Sequence, residues 1–133
     1  MKRLFQVFVS LCIIVAVNGC TIPETCMLYN NIGQDIKIIR LKTDGSITEQ
    51  KVKARSTVKL KWGFSTYRIV GEDTIWDYDL VKPDVDFVFD AGFDRLFKVQ
   101  LEKGGHIYIL QPDQSFPASK FPKQPEGFPL LPK

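Results

Sequence analysis

From Asp35 to Gln111 the chain alternates apolar and polar residues with a period of two, which constrains it to strands far more than to helices. Ile36 and Ile38 alternate with Asp35 and Lys37, and Val58, Leu60 and Trp62 with Thr57, Lys59 and Lys61. Tyr67 and Ile69 flank Arg68, while Trp76, Tyr78 and Leu80 flank Asp77 and Asp79. Val85, Phe87 and Phe89 read as a further strand, and Phe97, Val99 and Leu101 as another, before Lys103-Gly104-Gly105 turns into a last strand from His106 to Gln111. At Ile39-Arg40-Leu41-Lys42 the alternation changes phase, which predicts a β-bulge. Asp44-Gly45 predicts a hairpin turn into a return strand from Ile47 to Val52. No stretch carries an amphipathic helix. The expectation is an all-β domain, a small antiparallel β-sandwich or partly closed barrel of about eight short strands.

The two ends of the chain depart from this pattern. At the start, Lys2 and Arg3 precede a mostly apolar run from Leu4 to Val17, the n-region and h-region of a secretory signal. The run is shorter than the roughly 18 to 20 residues of a permanent membrane span. It leads into Val17-Asn18-Gly19-Cys20, which resembles the lipobox of bacterial lipoproteins. That resemblance implies that Cys20 receives diacylglycerol, that residues 1–19 are removed, and that the new amino group is acylated. Thr21 in place of Asp after the cysteine implies, by resemblance to enterobacterial lipoproteins, an outer-membrane address facing the periplasm. The alternative is ordinary signal cleavage, with Cys20 and Cys26 forming a disulfide in an oxidising compartment. With lipidation, Cys26 has no partner, because Cys12 leaves with the signal, and it becomes a small buried hydrophobe.

Residues 20–25 then form a tether, 26–111 the β-domain and 112–133 a tail. The tail holds six prolines, a density that excludes helix and central strand. It repeats Phe-Pro at Phe116-Pro117, Phe121-Pro122 and Phe128-Pro129. Disordered tails are poor in large aromatics, so this one is expected to dock. Either Phe116, Phe121 and Phe128 anchor it in a partner's groove, or they clamp it onto its own domain.

Charge is segregated along the sequence. Residues 35–68 carry Lys37, Arg40, Lys42, Lys51, Lys53, Arg55, Lys59, Lys61 and Arg68 against Asp35, Asp44 and Glu49. Lys51, Lys53 and Arg55 are expected on one strand face, as are Lys59 and Lys61. These cations either meet carboxylates across the sheet or form a surface that steers a protein partner or lies on anionic headgroups. Glu72, Asp73, Asp77, Asp79, Asp84, Asp86, Asp90 and Asp94 make the opposite block, with Lys82 as the only base among them until Arg95. Such ligands suit calcium, but the spacing is not that of an EF-hand, and alternation puts several of them on solvent faces. Nothing marks a glycosidase cleft around any pair of them.

Loss of Lys2 and Arg3 leaves 16 basic against 15 acidic residues, so charge does not point to nucleic acid, and export excludes DNA further. His106 is the only histidine and has no nucleophile motif beside it. Phosphate loops, paired Cys-x-x-Cys and His-containing metal spacings are missing. Trp62 and Trp76 serve either as core or as a stacking platform for a glycan. The sequence therefore predicts a non-catalytic, lipid-anchored envelope protein without cofactor or metal, binding another envelope component. The alternatives are a glycan or small-ligand module and an inhibitor or immunity-type lipoprotein. The domain resembles small Gram-negative envelope lipoproteins to which no activity is assigned.

Overall fold

A computed structural model of the chain describes residues 24–63 and 66–133. Among the described residues nine strands occur, in the order β1 (Glu24–Asn30), β2 (Ile36–Leu41), β3 (Ile47–Val52), β4 (Thr57–Lys61), β5 (Thr66–Val70), β6 (Ile75–Asp79), β7 (Phe89–Ala91), β8 (Asp94–Leu101) and β9 (Ile107–Leu110). They form two facing sheets, the expected sandwich without barrel closure. Sheet A runs β4-β1-β8, with β7 and β9 both on the far side of β8, and sheet B runs β3-β2-β5-β6.

Alternation does the sorting. In sheet B, Ile36, Ile38, Tyr67, Ile69 and Tyr78 point inward and are buried. In sheet A, Cys26, Leu28, Leu60, Phe97, Val99 and Ile109 do the same. Bonds and ring contacts tie the layers: Trp62 stacks on Tyr67 from across the gap and meets Phe97 edge-on at 5.0 Å. Tyr78 donates to the Gly105 carbonyl at 2.6 Å. Trp62 also donates its indole N–H to the Val81 carbonyl at 2.8 Å. It is thus core, and Trp76 lies half-buried against the same cluster.

Several expectations change. β2 pairs residue for residue with both β3 and β5, so the phase change at Ile39 is not a bulge. Ile39 and Leu41 simply lie on the outer face of sheet B, and Arg40 keeps the inward parity of Ile36 and Ile38. Residues 85–87 are one turn of 3-10 helix, because Asp84 accepts the Asp86 N–H and caps the turn; strand resumes only at Phe89. β1 begins at Glu24, inside the segment expected to be tether, and it pairs with β8 in parallel while the other ladders are antiparallel. That parallel pair sits at the centre of sheet A, joined by the whole intervening chain.

The tail has almost no regular structure but is well placed. It crosses the outer face of sheet A, where Phe116 stacks on Tyr29 at 5.3 Å and Phe121 on Tyr108 at 4.1 Å. It then turns under the β9 edge, inserting Phe128 and Leu130 into the core and pairing Leu130 with Ile107 as an isolated bridge. The Lys133 N–H reaches the Asp77 carbonyl at 2.9 Å, so the tail ends on the edge of sheet B. Glutamine amides replace the donors that proline lacks. Gln100 both gives to and takes from the Ala118 backbone, at 3.0 and 2.8 Å, and Gln124 does the same with Ile109 at 3.0 and 2.9 Å.

Burial weakens three acids by raising their pKa values. It holds the Cys26 thiol and the Tyr78 phenol well above their ordinary values and pushes Tyr67 up to about 12. Each group is neutral when protonated, so the fold retains a proton that the unfolded chain gives up first. Stability is therefore unaffected below about pH 8.5 and falls above it, by up to about 1.4 kcal/mol per pH unit for each group as first the thiol and then the phenols ionise in the unfolded chain. Urea midpoints should match at pH 6 and 7.5 and drop at pH 9.5 and again at 10.5. A flat profile to pH 10.5 would contradict the sealed core.

Candidate functional site

The tail closes one side of the sandwich, and the opposite side is open. There the edge strands β3 and β4 stand apart and flank a cleft of about 270 Å³. Ile38, Leu60 and Tyr67 form its apolar floor, and Arg40, Lys42, Lys59 and Lys61 supply cations at its rim. Among the described residues that line it, Glu49 is the one carboxylate. The Tyr67 hydroxyl donates to the Lys61 carbonyl and pins the two sheets together at one end of the mouth.

β3 is unusual for a sandwich strand, since Ile47 to Lys51 are all exposed on both faces. Its inner-face residues Thr48 and Gln50 line the cleft instead of meeting an opposing layer. The turn bond from Lys42 N–H to the Ser46 carbonyl sets the ladder phase, so the backbones of Thr48, Gln50 and Val52 bond to β2. Those of Ile47, Glu49 and Lys51 therefore point to the free edge, where no described strand pairs with them.

The expected row of Lys51, Lys53 and Arg55 does not exist as one strand face. β3 ends at Val52, because Asn30 and Ser56 donate to the Lys53 carbonyl and Asp35 accepts the Ala54 N–H, drawing the chain into a turn. Arg55 sits there with φ 59° and its guanidinium on the Asn31 side chain. Lys51 alone stays on β3, and Lys59 and Lys61 share the outer face at the β4 edge as expected. Arg40, Lys42 and Gln50 were missed as a group. The misread phase change at Ile39 turned Arg40 outward; its parity with Ile36 and Ile38 was the available signal.

Part of the charge does compensate across the sheet. Arg68 grips Asp77 with two bonds of 2.7 and 3.1 Å, which lowers the Asp77 carboxyl and raises the guanidinium, and Lys37 meets Glu49 at 3.6 Å. Asp79 pairs with Lys133 at 2.5 Å and Asp90 with Arg95 at 3.9 Å, so the acidic block is spread over separate ion pairs and a cap. Among the described residues no three His, Cys, Asp or Glu side chains converge. His106 is exposed beside Tyr108. Phe116, Phe121 and Phe128 all lie on their own domain. Cys20 falls outside the described residues, while Cys26 is free and fully buried.

What these residues define is a two-sheet β-sandwich, sealed on one side by its own tail and open between basic edges on the other. The chain matches no family model, no curated protein and no solved structure in comparisons with known proteins.

Proposed function

We propose that the protein is a non-catalytic lipoprotein, anchored through Cys20 in the outer membrane facing the periplasm, whose basic β3–β4 mouth binds another envelope protein. The observation that carries this reading is the open mouth itself: an exposed edge strand beside a cation-rimmed cleft, on a domain whose β9 edge the tail covers and whose β6 edge it reaches at Asp77. A bare edge left in a secreted protein favours a partner. The tail phenylalanines, engaged at home, leave the recognition role to this surface. Burial of Trp62 removes half of the aromatic platform that a glycan-binding reading needs.

The anchor rests on the lipobox-like residues, and the burial of Cys26 in the core supports it. Cys20 to Pro23 span at most ~14 Å, so Glu24 and the β2–β3 hairpin at the same end would stand close to the bilayer. Two measurements test the reading. Mass spectrometry of the mature protein should find an acylated Cys20 at its N-terminus, and an unmodified cysteine would end the lipoprotein claim. A photo-crosslinking residue at Gln50, introduced in intact cells, should trap one envelope protein that the same group at Lys103 does not. Equal or empty yields from both positions would refute the binding surface.

A further inference from the structure

The geometry points to the chemistry of the partner: we propose that the mouth binds an extended peptide segment with alternating carboxylate and apolar side chains, added as a fifth strand to the free edge of β3. The inference rests on the protein-binding reading above and narrows it.

Three observations converge on that occupant. The outward N–H and C=O groups of Ile47, Glu49 and Lys51 offer a ladder that only another backbone satisfies at regular spacing, which favours a peptide over a lipid headgroup or a sugar. A strand laid along this edge places every second side chain over the cleft and the others on the outer face of sheet B. Over the cleft they meet the apolar floor of Ile38, Leu60 and Tyr67 inside a cationic rim.

Charge selects the acidic version. In the β2–β3 register Lys51 stands directly opposite Lys37, a like-charge pair that costs stability unless a carboxylate comes between. Glu49 contacts Lys37, while no ion pair joins Lys51, Lys59 or Lys61 to a carboxylate among the described residues. Lysines on an edge strand are themselves a device against indiscriminate pairing. They repel basic strands, disfavour neutral ones because pairing would bury an unpaired charge, and admit an acidic one, so the same residues give the edge its selectivity. β9 shows how this molecule satisfies an edge when it has the means, by laying Leu130 and the Gln124 amide against it.

The test uses the mature full-length protein and fluorescein-labelled octapeptides. An alternating Glu/Val peptide should bind, with an affinity that falls about tenfold or more between low and high salt. A Lys/Val peptide of the same length should not. N-methylation of every second residue in one register should abolish binding, and in the other register leave it intact, because only one set of N–H groups faces β3. Lys59→Glu with Lys61→Glu, two exposed positions, should weaken binding about tenfold with an unchanged circular dichroism spectrum. The proposal is overturned if the Glu/Val peptide does not bind, if both N-methylated forms bind like their parent, or if the Lys/Val peptide binds as well. Should Gln50 still crosslink an envelope protein in that event, the binding surface stands and strand addition alone fails. Peptide binding without any crosslink would establish the site and remove its assignment to an envelope partner.

Discussion

A chain ended at Gln111 should lose most of its stability and lack a cooperative melt, because the last 22 residues are structural parts of the sandwich. Removing them takes Phe128 and Leu130 out of the core cluster. Truncation of a buried Phe typically costs about 3–5 kcal/mol and of a buried Leu about 2–5. Either is a large share of the roughly 5–15 kcal/mol that holds a domain of this size. The deletion also uncovers Tyr29, Leu110 and Gln100 on the outer face of sheet A, all of them buried beneath or beside the tail. Gln100 would lose both bonds to Ala118.

A graded series separates these contributions. Phe128→Ala should cost about 3–5 kcal/mol in chemical denaturation. Phe121→Ala, which gives up a partly exposed stack on Tyr108, should cost about 1–2. A truncated chain that melts like the full-length protein would show the tail to be dispensable for folding, and would return Phe116, Phe121 and Phe128 to the role of partner anchors.

Gly105→Ala should destabilise the protein by more than about 3 kcal/mol, while Gly45→Ala costs only about 1–2. Both glycines have φ 87°, a left-handed backbone that side chains disfavour, so both substitutions carry the same conformational term. Only Gly105 has neighbours. A Cβ there would lie 2.9 Å from the Trp76 ring and 3.0 Å from the Tyr78 hydroxyl, whereas at Gly45 nothing lies within 4 Å. The Tyr78 hydroxyl is held by the Gly105 carbonyl, so pushing the ring aside also breaks a buried hydrogen bond between the sheets. Equal costs at the two positions would mean that the β8–β9 turn can move off Trp76, and that this corner is looser than its contacts indicate. The Gly104-Gly105 pair was readable in the sequence as a turn. That its second glycine is also the place where sheet A closes on sheet B was not, because Trp76 and Tyr78 approach it from nearly thirty residues away.

The same division runs through the molecule. Alternation and turn chemistry are local properties, and they sufficed for the all-β class, for the β2–β3 hairpin at Asp44-Gly45 and for most strand positions. They misplaced residues 85–87, where a capping carboxylate outweighed a period-two pattern only three apolar residues long. They also read a bulge into β2, since an isoleucine on a solvent face looks in sequence like a change of phase. The proline tail was recognised as a docking segment from its composition, but composition is silent about the surface it docks on. Lys51, Lys53 and Arg55 looked like one face because parity assumes that the strand continues, and Asn30, Asp35 and Ser56 end it from outside.

Period-two alternation, turn residues and tail composition are therefore legible in the sequence alone, each being a matter of neighbours along the chain. Tertiary structure alone decided the parallel pairing of β1 with β8, the tail as a third layer over sheet A, and the meeting of Arg40 and Lys42 from one sheet with Lys59 and Lys61 from the other. These depend on which surfaces bury one another across long stretches of sequence, and a linear pattern records how each strand is faced without recording what it faces.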